Sequence, residues 1–234
     1  MVKNSLMKIV GKFLPKATVT GVKRVANSFV VVELESEHFT KTPWSHGDHL
    51  QILVTDTNRR IYTPFNVNRE SGRLSLLIFD HGRSLGSDWA RNLKSGDTVS
   101  VHGPQKGHNL KKHTGALIYF GDETAFVAAS LLKEISENSR NQMFVFEVSS
   151  IVEAKIALQL LNLGEAELIE KKTIREHLPI VADKILSLAR SLTTHHIVGA
   201  GEAGAIKTLK SSLLQKEKEL LIHLQPYWFE GRSL

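Results

Sequence analysis

The apolar pattern of this chain changes character near Pro104, and that change most limits how it can fold. Before Pro104 the apolar residues come in short runs rich in Val, Ile and Thr, at 18–25, 29–34, 50–54, 60–63, 74–79 and 98–102. Between them lie Asn27-Ser28, Asp56-Thr57-Asn58, Glu70-Ser71-Gly72-Arg73 and Lys94-Ser95-Gly96-Asp97, and 36–46 reads as a polar loop. Short strands closed off by turn residues at close spacing predict a small antiparallel barrel. Beyond Gly107 the runs at 117–120, 143–148, 166–169, 195–199 and 220–224 alternate with helical stretches, the last three being 151–161, 180–192 and 203–214. Phe126, Val127, Leu131, Leu132 and Ile135 mark the first of those helices by their spacing. Strand–helix alternation predicts a parallel sheet covered on both faces. Gly103-Pro104 ends the last short strand, so the expected domains are 1–104 and 105–234.

Composition narrows the function classes. The chain has 234 residues, the length of one large domain or two ordinary ones, and 41% of them are hydrophobic, enough for a real core. It has no cysteine. Disulfides, thiolate metal sites, cysteine-ligated iron–sulfur clusters and cysteine nucleophiles are thereby excluded, and a reducing cytoplasm fits. No apolar run is long enough to span a bilayer. Residues 1–15 mix Lys3, Lys8 and Lys12 with Leu6, Ile9, Val10 and Phe13, which reads as an amphipathic surface helix and not as a signal peptide. The net charge of +6 favours anionic partners such as phosphates or anionic chelates. Nucleic acid is set aside, because no basic helix or basic–aromatic stripe accompanies the charge.

Arg60-Ile61-Tyr62-Thr63 carries the first chemical signal. Strand alternation puts Arg60 and Tyr62 on one face. A fixed fork of donors, a flat phenol and a small hydroxyl suit a flavin dinucleotide, although many strands contain these three residues by chance. After the strand at 74–79 comes Asp80-His81-Gly82-Arg83-Ser84-Leu85-Gly86-Ser87, leading into a helix expected at 88–93 with Ser87 as its cap. Backbone N–H groups at such a start make an anion site. A capped surface helix plugged by Trp89 explains the same residues.

In the second half, two strand-to-helix turns stand out: Gly121-Asp122-Glu123-Thr124-Ala125 and Gly199-Ala200-Gly201-Glu202-Ala203. Open α/β sheets bind ligands at such places. The second turn, with Gly204, has the G-x-G-x-x-G spacing, which serves either a diphosphate or tight strand–helix packing. Asp122 and Glu202 would repel a diphosphate and suit a ribose, an amide or a helix N-terminus. The loop 105–113 holds Lys106, Lys111, Lys112, His108 and His113, and reads as a flexible solvated linker or as a basic rim for an anion. His195 and His196 point to opposite faces of a strand and read as structural, and no metal site is expected.

Taken in order, these segments resemble the siderophore-interacting proteins, flavin-dependent ferric-siderophore reductases of the ferredoxin-reductase type. The resemblance rests on Gly47-Asp48-His49-Leu50, Arg60-Ile61-Tyr62-Thr63, His81-Gly82, Ser87-Asp88-Trp89-Ala90, Gly96-Asp97 and Gly103-Pro104. It continues with Gly121-Asp122-Glu123-Thr124-Ala125, Ala200-Gly201-Glu202-Ala203 and Tyr227-Trp228-Phe229-Glu230-Gly231. The family pattern runs Arg-x-Tyr-Thr-x-Arg, and this chain has Phe65 at its last position.

The resemblance implies an N-terminal antiparallel Greek-key barrel for FAD and a C-terminal Rossmann-like α/β domain for NAD(P)H. It implies one-electron reduction of a ferric siderophore, with a ferredoxin as the alternative donor. On this basis Arg60 contacts the FAD phosphates or ribityl side, Ile61 lies within the flavin strand, Tyr62 stacks on the flavin, and Thr63, the catalytic candidate, bonds near N5. His81, Gly82, Arg83, Ser84, Leu85 and the Ser87 helix start hold the diphosphate, with Trp89 beside them. Asp122, Thr124 and Glu202 line the nicotinamide cleft, and Lys106, Lys111, Lys112 and Arg232 attract an anionic substrate. The other reading is a flavin- or chelate-binding module of the same fold without electron transfer, which the Phe65 departure favours.

Overall fold

The computed structural model describes residues 13–82, 84–107, 109–113, 115–136 and 141–230. The expected N-terminal helix lies almost wholly outside these residues, as do Arg83, His108, Gly231 and Arg232. The chain divides into two compact units, the first running to Asn109 and the second beginning at Leu110.

The first unit is an antiparallel sheet of seven strands in the order β4-β3-β7-β1-β2-β6-β5. They are β1 (Lys16–Ala26), β2 (Phe29–Glu35), β3 (His49–Leu53), β4 (Arg59–Tyr62), β5 (Pro64–Asn68), β6 (Arg73–Phe79) and β7 (Thr98–Gln105). The two edge strands of that order, β4 and β5, are consecutive in sequence and separated only by Thr63. One residue spans about 3.5 Å, so the sheet must curl until its edges meet. The result is a Greek-key barrel whose two edges are joined at Thr63, the seam. Alternate residues fill it: Val19, Val32, Leu34, Leu50, Ile52, Leu76 and Val101 are each 0% exposed.

Four details depart from the sequence reading. A short helix, α1 (Glu37–Lys41), stands in the expected polar loop, capped by Ser36 and plugging the barrel with Phe39. The strand β5 was not expected; its Pro64 sits at the first position, where no ladder donor is needed, and Asn66 adopts φ 50 where the pairing with β6 shifts. The helix α2 (Leu85–Asn92) begins three residues before the expected start, and Ser84, not Ser87, is its cap. Finally, β7 runs on through Gly103-Pro104 to Gln105, which pairs with His49. The start of the joining loop is therefore barrel strand and not a flexible linker.

The second unit is a five-stranded parallel sheet in the order β10-β9-β8-β11-β12. Its elements are β8 (Leu117–Gly121), α3 (Phe126–Ile135), β9 (Gln142–Val148), α4 (Ile151–Leu160), β10 (Glu167–Glu170), α5 (Leu178–Ser191), β11 (His196–Glu202), α6 (Ala203–Lys216) and β12 (Leu221–Trp228). From β8 the chain builds outward to β10, then returns to lay β11 on the other side of β8. That reversal makes the carboxyl ends of β8 and β11 the switch point of the sheet. Every residue of β8 is buried, as a central parallel strand covered on both faces should be.

Candidate functional site

In the barrel, β4 pairs with β3 so that Arg60 lies opposite Ile52 and Tyr62 opposite Leu50. Both partners are fully buried, so Arg60 and Tyr62 share the half-buried face of β4 while Ile61 is 47% exposed. Tyr62 stacks on Trp89 of α2, with ring centroids 6.1 Å apart and an interplanar angle of 22°. Burial pushes the Tyr62 phenol well up, against the pull of the nearby Arg60 cation, so it is a neutral donor at ordinary pH. Thr63 is half-buried at the seam.

The start of α2 comes directly against this pair. A Cβ added to Gly86 would lie 3.3 Å from both Arg60 Cγ and Tyr62 Oη. Gly86 is thus the residue that lets the helix start approach β4. Ser84 Oγ accepts from Ser87 N at 3.1 Å and donates to Ser87 Oγ at 3.0 Å. His81, exposed, reaches Ser84 Oγ through Nε2 at 3.3 Å. Gly82 and Leu85 are exposed, whereas Ser87 is 2% exposed and faces inward.

Two residues that sequence reasoning did not single out shape this loop. Arg91 Nη1 donates to Asp80 Oδ1 at 2.6 Å, and both of its terminal nitrogens donate to the Gly82 carbonyl at 3.2 Å. Its Nη2 also donates to Asp88. Desolvation alone would raise the Asp80 carboxyl. The Gly82 N–H, then Arg91 and Ser87, hold it below its usual range instead. The only local trace of this in the sequence is the Asp88-x-x-Arg91 spacing on one helix face. By contrast, among the described residues Arg60 is in no ion pair, and its Nη1 donates to its neighbour's carbonyl, Arg59 O, at 2.9 Å.

A cavity of about 470 Å³ opens beside α2, lined by Val54, Leu85, Asp88, Trp89, Leu93 and Asp97 among others. It presents two carboxylates and no cation, so a diphosphate is disfavoured there.

In the second unit, Asp122, Thr124 and Glu202 come together, engaged with one another. Asp122 is 0% exposed. Its Oδ1 accepts from Thr124 N at 2.9 Å, and its Oδ2 accepts from Glu202 N and Trp228 Nε1, both at 2.9 Å. Glu202 Oε2 caps α6 by accepting from Ala205 N at 2.8 Å, and pairs with Arg175 at 2.9 Å. Desolvation pushes the Glu202 carboxyl up, but the Gly204, Ala205 and Glu230 N–H groups and Arg175 together bring it below its usual range. A Cβ at Gly199 would sit 1.8 Å from Phe120 O, so that glycine is demanded by the β8–β11 contact.

Beneath these turns lies a buried polar set that the sequence did not reveal. His177 and Glu147 are each 2% exposed and bonded at 2.6 Å, and Lys171 pairs with Glu123 at 2.5 Å. Burial raises the Glu147 carboxyl against the opposing pull of His177 and Lys171. These partners come from distant elements, and no local spacing announces them. Of the expected substrate residues, Lys106 is exposed just after β7, and Lys111 and Lys112 are exposed in the 3-10 turn Leu110–His113.

Residues 55–108 match a family model, the siderophore-interacting FAD-binding domain. The matched residues lie within the barrel unit, from just before β4 to just past β7. The matched residues include β4, the seam, the loop after β6 and α2, where Arg60, Tyr62 and Gly86 meet. The whole chain has the fold of the siderophore-interacting protein from Acinetobacter baumannii (TM-score 0.73, 18% identity, covering 94% of this chain and 92% of that one). Siderophore-interacting protein SipS from Aeromonas hydrophila is as similar (TM-score 0.73, 20% identity, 94% and 93%). Phthalate dioxygenase reductase, described as a modular structure for electron transfer from pyridine nucleotides to [2Fe-2S], shares the two-domain fold (TM-score 0.63, 15% identity, 92% and 68%). No curated protein matches the chain.

Proposed function

We propose that the protein is an FAD-dependent reductase of ferric siderophores, drawing electrons from NAD(P)H. The observation that carries this is the meeting of Arg60, Tyr62 and the start of α2 around Gly86, inside the matched FAD-binding segment. The residues fit the cofactor. A diphosphate needs a cation and backbone donors, and here Arg60, in no ion pair among the described residues, lies beside a helix start. Its fork of donors would take the phosphates, with the Ser84–Ser87 backbone at the start of α2 completing the cradle. Tyr62 is held by Trp89 on one ring face and would offer the other to the flavin. Thr63 at the seam would hydrogen-bond near the flavin N5 edge.

FAD held by Arg60, Tyr62 and the start of α2 would supply hydride acceptance and single-electron release, chemistry that side chains cannot supply. The iron is substrate. Siderophore oxygens are hard donors that suit Fe(III) better than Fe(II), so one-electron reduction loosens the chelate. The exposed Lys106, Lys111 and Lys112 would draw an anionic chelate toward the protein. The likeness of fold to a reductase that takes electrons from pyridine nucleotides supports NAD(P)H as donor. In this reading Asp122, Thr124 and Glu202 shape the nucleotide turns through their mutual bonds.

The test is anaerobic: the FAD-loaded protein is reduced with NADPH or NADH, then given a ferric siderophore, and the flavin spectrum is followed together with Fe(II) capture by a chromogenic chelator. Reoxidation matched by Fe(II) release is the expected result. Flavin that neither nicotinamide reduces, and that reduced ferredoxin leaves oxidised too, would favour the binding-module reading. One observation leans that way: Phe65, where the family pattern has Arg, is 8% exposed, so its position adds packing and no charge.

A further inference from the structure

Three histidines far apart in sequence meet on the second unit. His196 opens β11 and His223 lies in β12, the edge strand of the sheet. Val198 pairs with His223 across the two strands. Residues two apart share a face, so His196 and His223 project from the same side. His113, at the end of the 3-10 turn before β8, arrives from the other flank of β11. The ring centroids form a nearly equilateral triangle, with sides of 5.1 Å (His113–His196), 5.2 Å (His113–His223) and 5.4 Å (His196–His223). His113 Nδ1 and His196 Nε2 are 3.2 Å apart.

We propose that His113, His196 and His223 form a surface site for a divalent first-row transition-metal ion. The dimensions carry the argument. Imidazole nitrogens bind zinc at about 2.0–2.1 Å, which places two ligand nitrogens of a tetrahedral ion about 3.3 Å apart and their ring centres about 5.2 Å apart. All three ring-centre distances match this spacing, and one nitrogen pair, His113 Nδ1 with His196 Nε2, matches it as well. Imidazole is a preferred ligand of Zn(II), Cu(II), Ni(II) and Fe(II), and three of them leave a fourth position for water. Among the described residues no three such side chains yet converge as metal ligands do. Closing the site therefore requires His223, the exposed member of the trio, to turn its ring toward the other two. This inference is independent of the flavin chemistry proposed above.

The test uses the full chain without a histidine tag, stripped with a chelator. Zn2+ binding is measured by calorimetry, and Co2+ by its visible d–d spectrum, in the wild type, H196Q and H223Q. The expected result is one Zn2+ per chain with a Kd of about 1 µM or tighter, and a tetrahedral Co2+ spectrum. Each variant should weaken binding at least about tenfold. Zn2+ should raise the melting temperature of the wild type and not that of H223Q. His223 is exposed on an edge strand, so H223Q decides the matter even if H196Q folds poorly. The absence of saturable binding, or binding that survives H223Q unchanged, would overturn the site.

Discussion

Arg60 is the residue on which the flavin assignment turns. It sits on a half-buried strand face, pairs with no carboxylate among the described residues, and meets the start of α2 at Gly86. Arg60→Ala should weaken FAD binding at least about tenfold, as expected for loss of a charge-assisted contact. It should change folding stability by no more than about 0.5 kcal/mol, since it breaks no internal ion pair. Fluorescence titration with FAD and a denaturation curve separate the two effects. Arg60 and Tyr62 were legible because strand alternation is local. Arg91 and Asp80, which hold the adjacent loop, were not, because their bond joins residues either side of a turn. Glu202 makes a pH prediction. Its folded pKa lies below the ordinary value of 4.5, so its contribution to stability is present above that pH and lost as pH falls through the lowered value. Glu202→Gln should flatten the loss of stability below pH 4.5, seen as a smaller shift of the denaturation midpoint between pH 5 and 3. An unchanged acid slope would mean that the cap and Arg175 do not hold the charge.

At the scale of elements, most strands and helices were legible in the sequence, whereas α1 and β5 were missed and the start of α2 was misplaced. The helix α2 illustrates the reason. Both Ser84 and Ser87 are competent caps by residue type. The turn made by Asp80 and Gly82, with Gly82 at φ +99, fixes the chain direction so that Ser84 meets the Ser87 N–H. Ser84→Ala should cost about 1 kcal/mol and weaken FAD binding by loosening the helix start. A destabilisation without change in FAD affinity would detach the helix start from the cofactor. The strand β5 was missed because Pro64 and the positive φ of Asn66 read locally as a break, while the pairing with β6 is long-range. In the second unit, the G-x-G-x-x-G spacing left diphosphate and packing both open, and the Phe120 carbonyl against Gly199 supplies a packing reason for the first glycine. The Glu147–His177 bond ties β9 to the residue preceding α5. Glu147→Ala leaves His177 buried without that partner and should cost about 3 kcal/mol or more, read by chemical denaturation. A near-neutral result would show that the pair contributes little.

At the scale of the whole molecule, the division into barrel and α/β unit follows from the change in apolar period, and the fold matches siderophore-interacting proteins across nearly the whole chain. No described helix is long and apolar enough to cross a membrane. The three-histidine cluster lay beyond sequence reasoning, since His113, His196 and His223 are joined only by the parallel pairing of β11 with β12 and by the turn before β8. The measurement that tests the central claim most directly is the visible spectrum of the protein loaded with FAD, cleared of excess cofactor, reduced anaerobically with NADPH and then given a ferric siderophore. The account predicts a retained flavin spectrum that bleaches with the nicotinamide and recovers as the iron is reduced. A protein that retains no flavin would contradict it, and with it the role given to Arg60, Tyr62 and the start of α2.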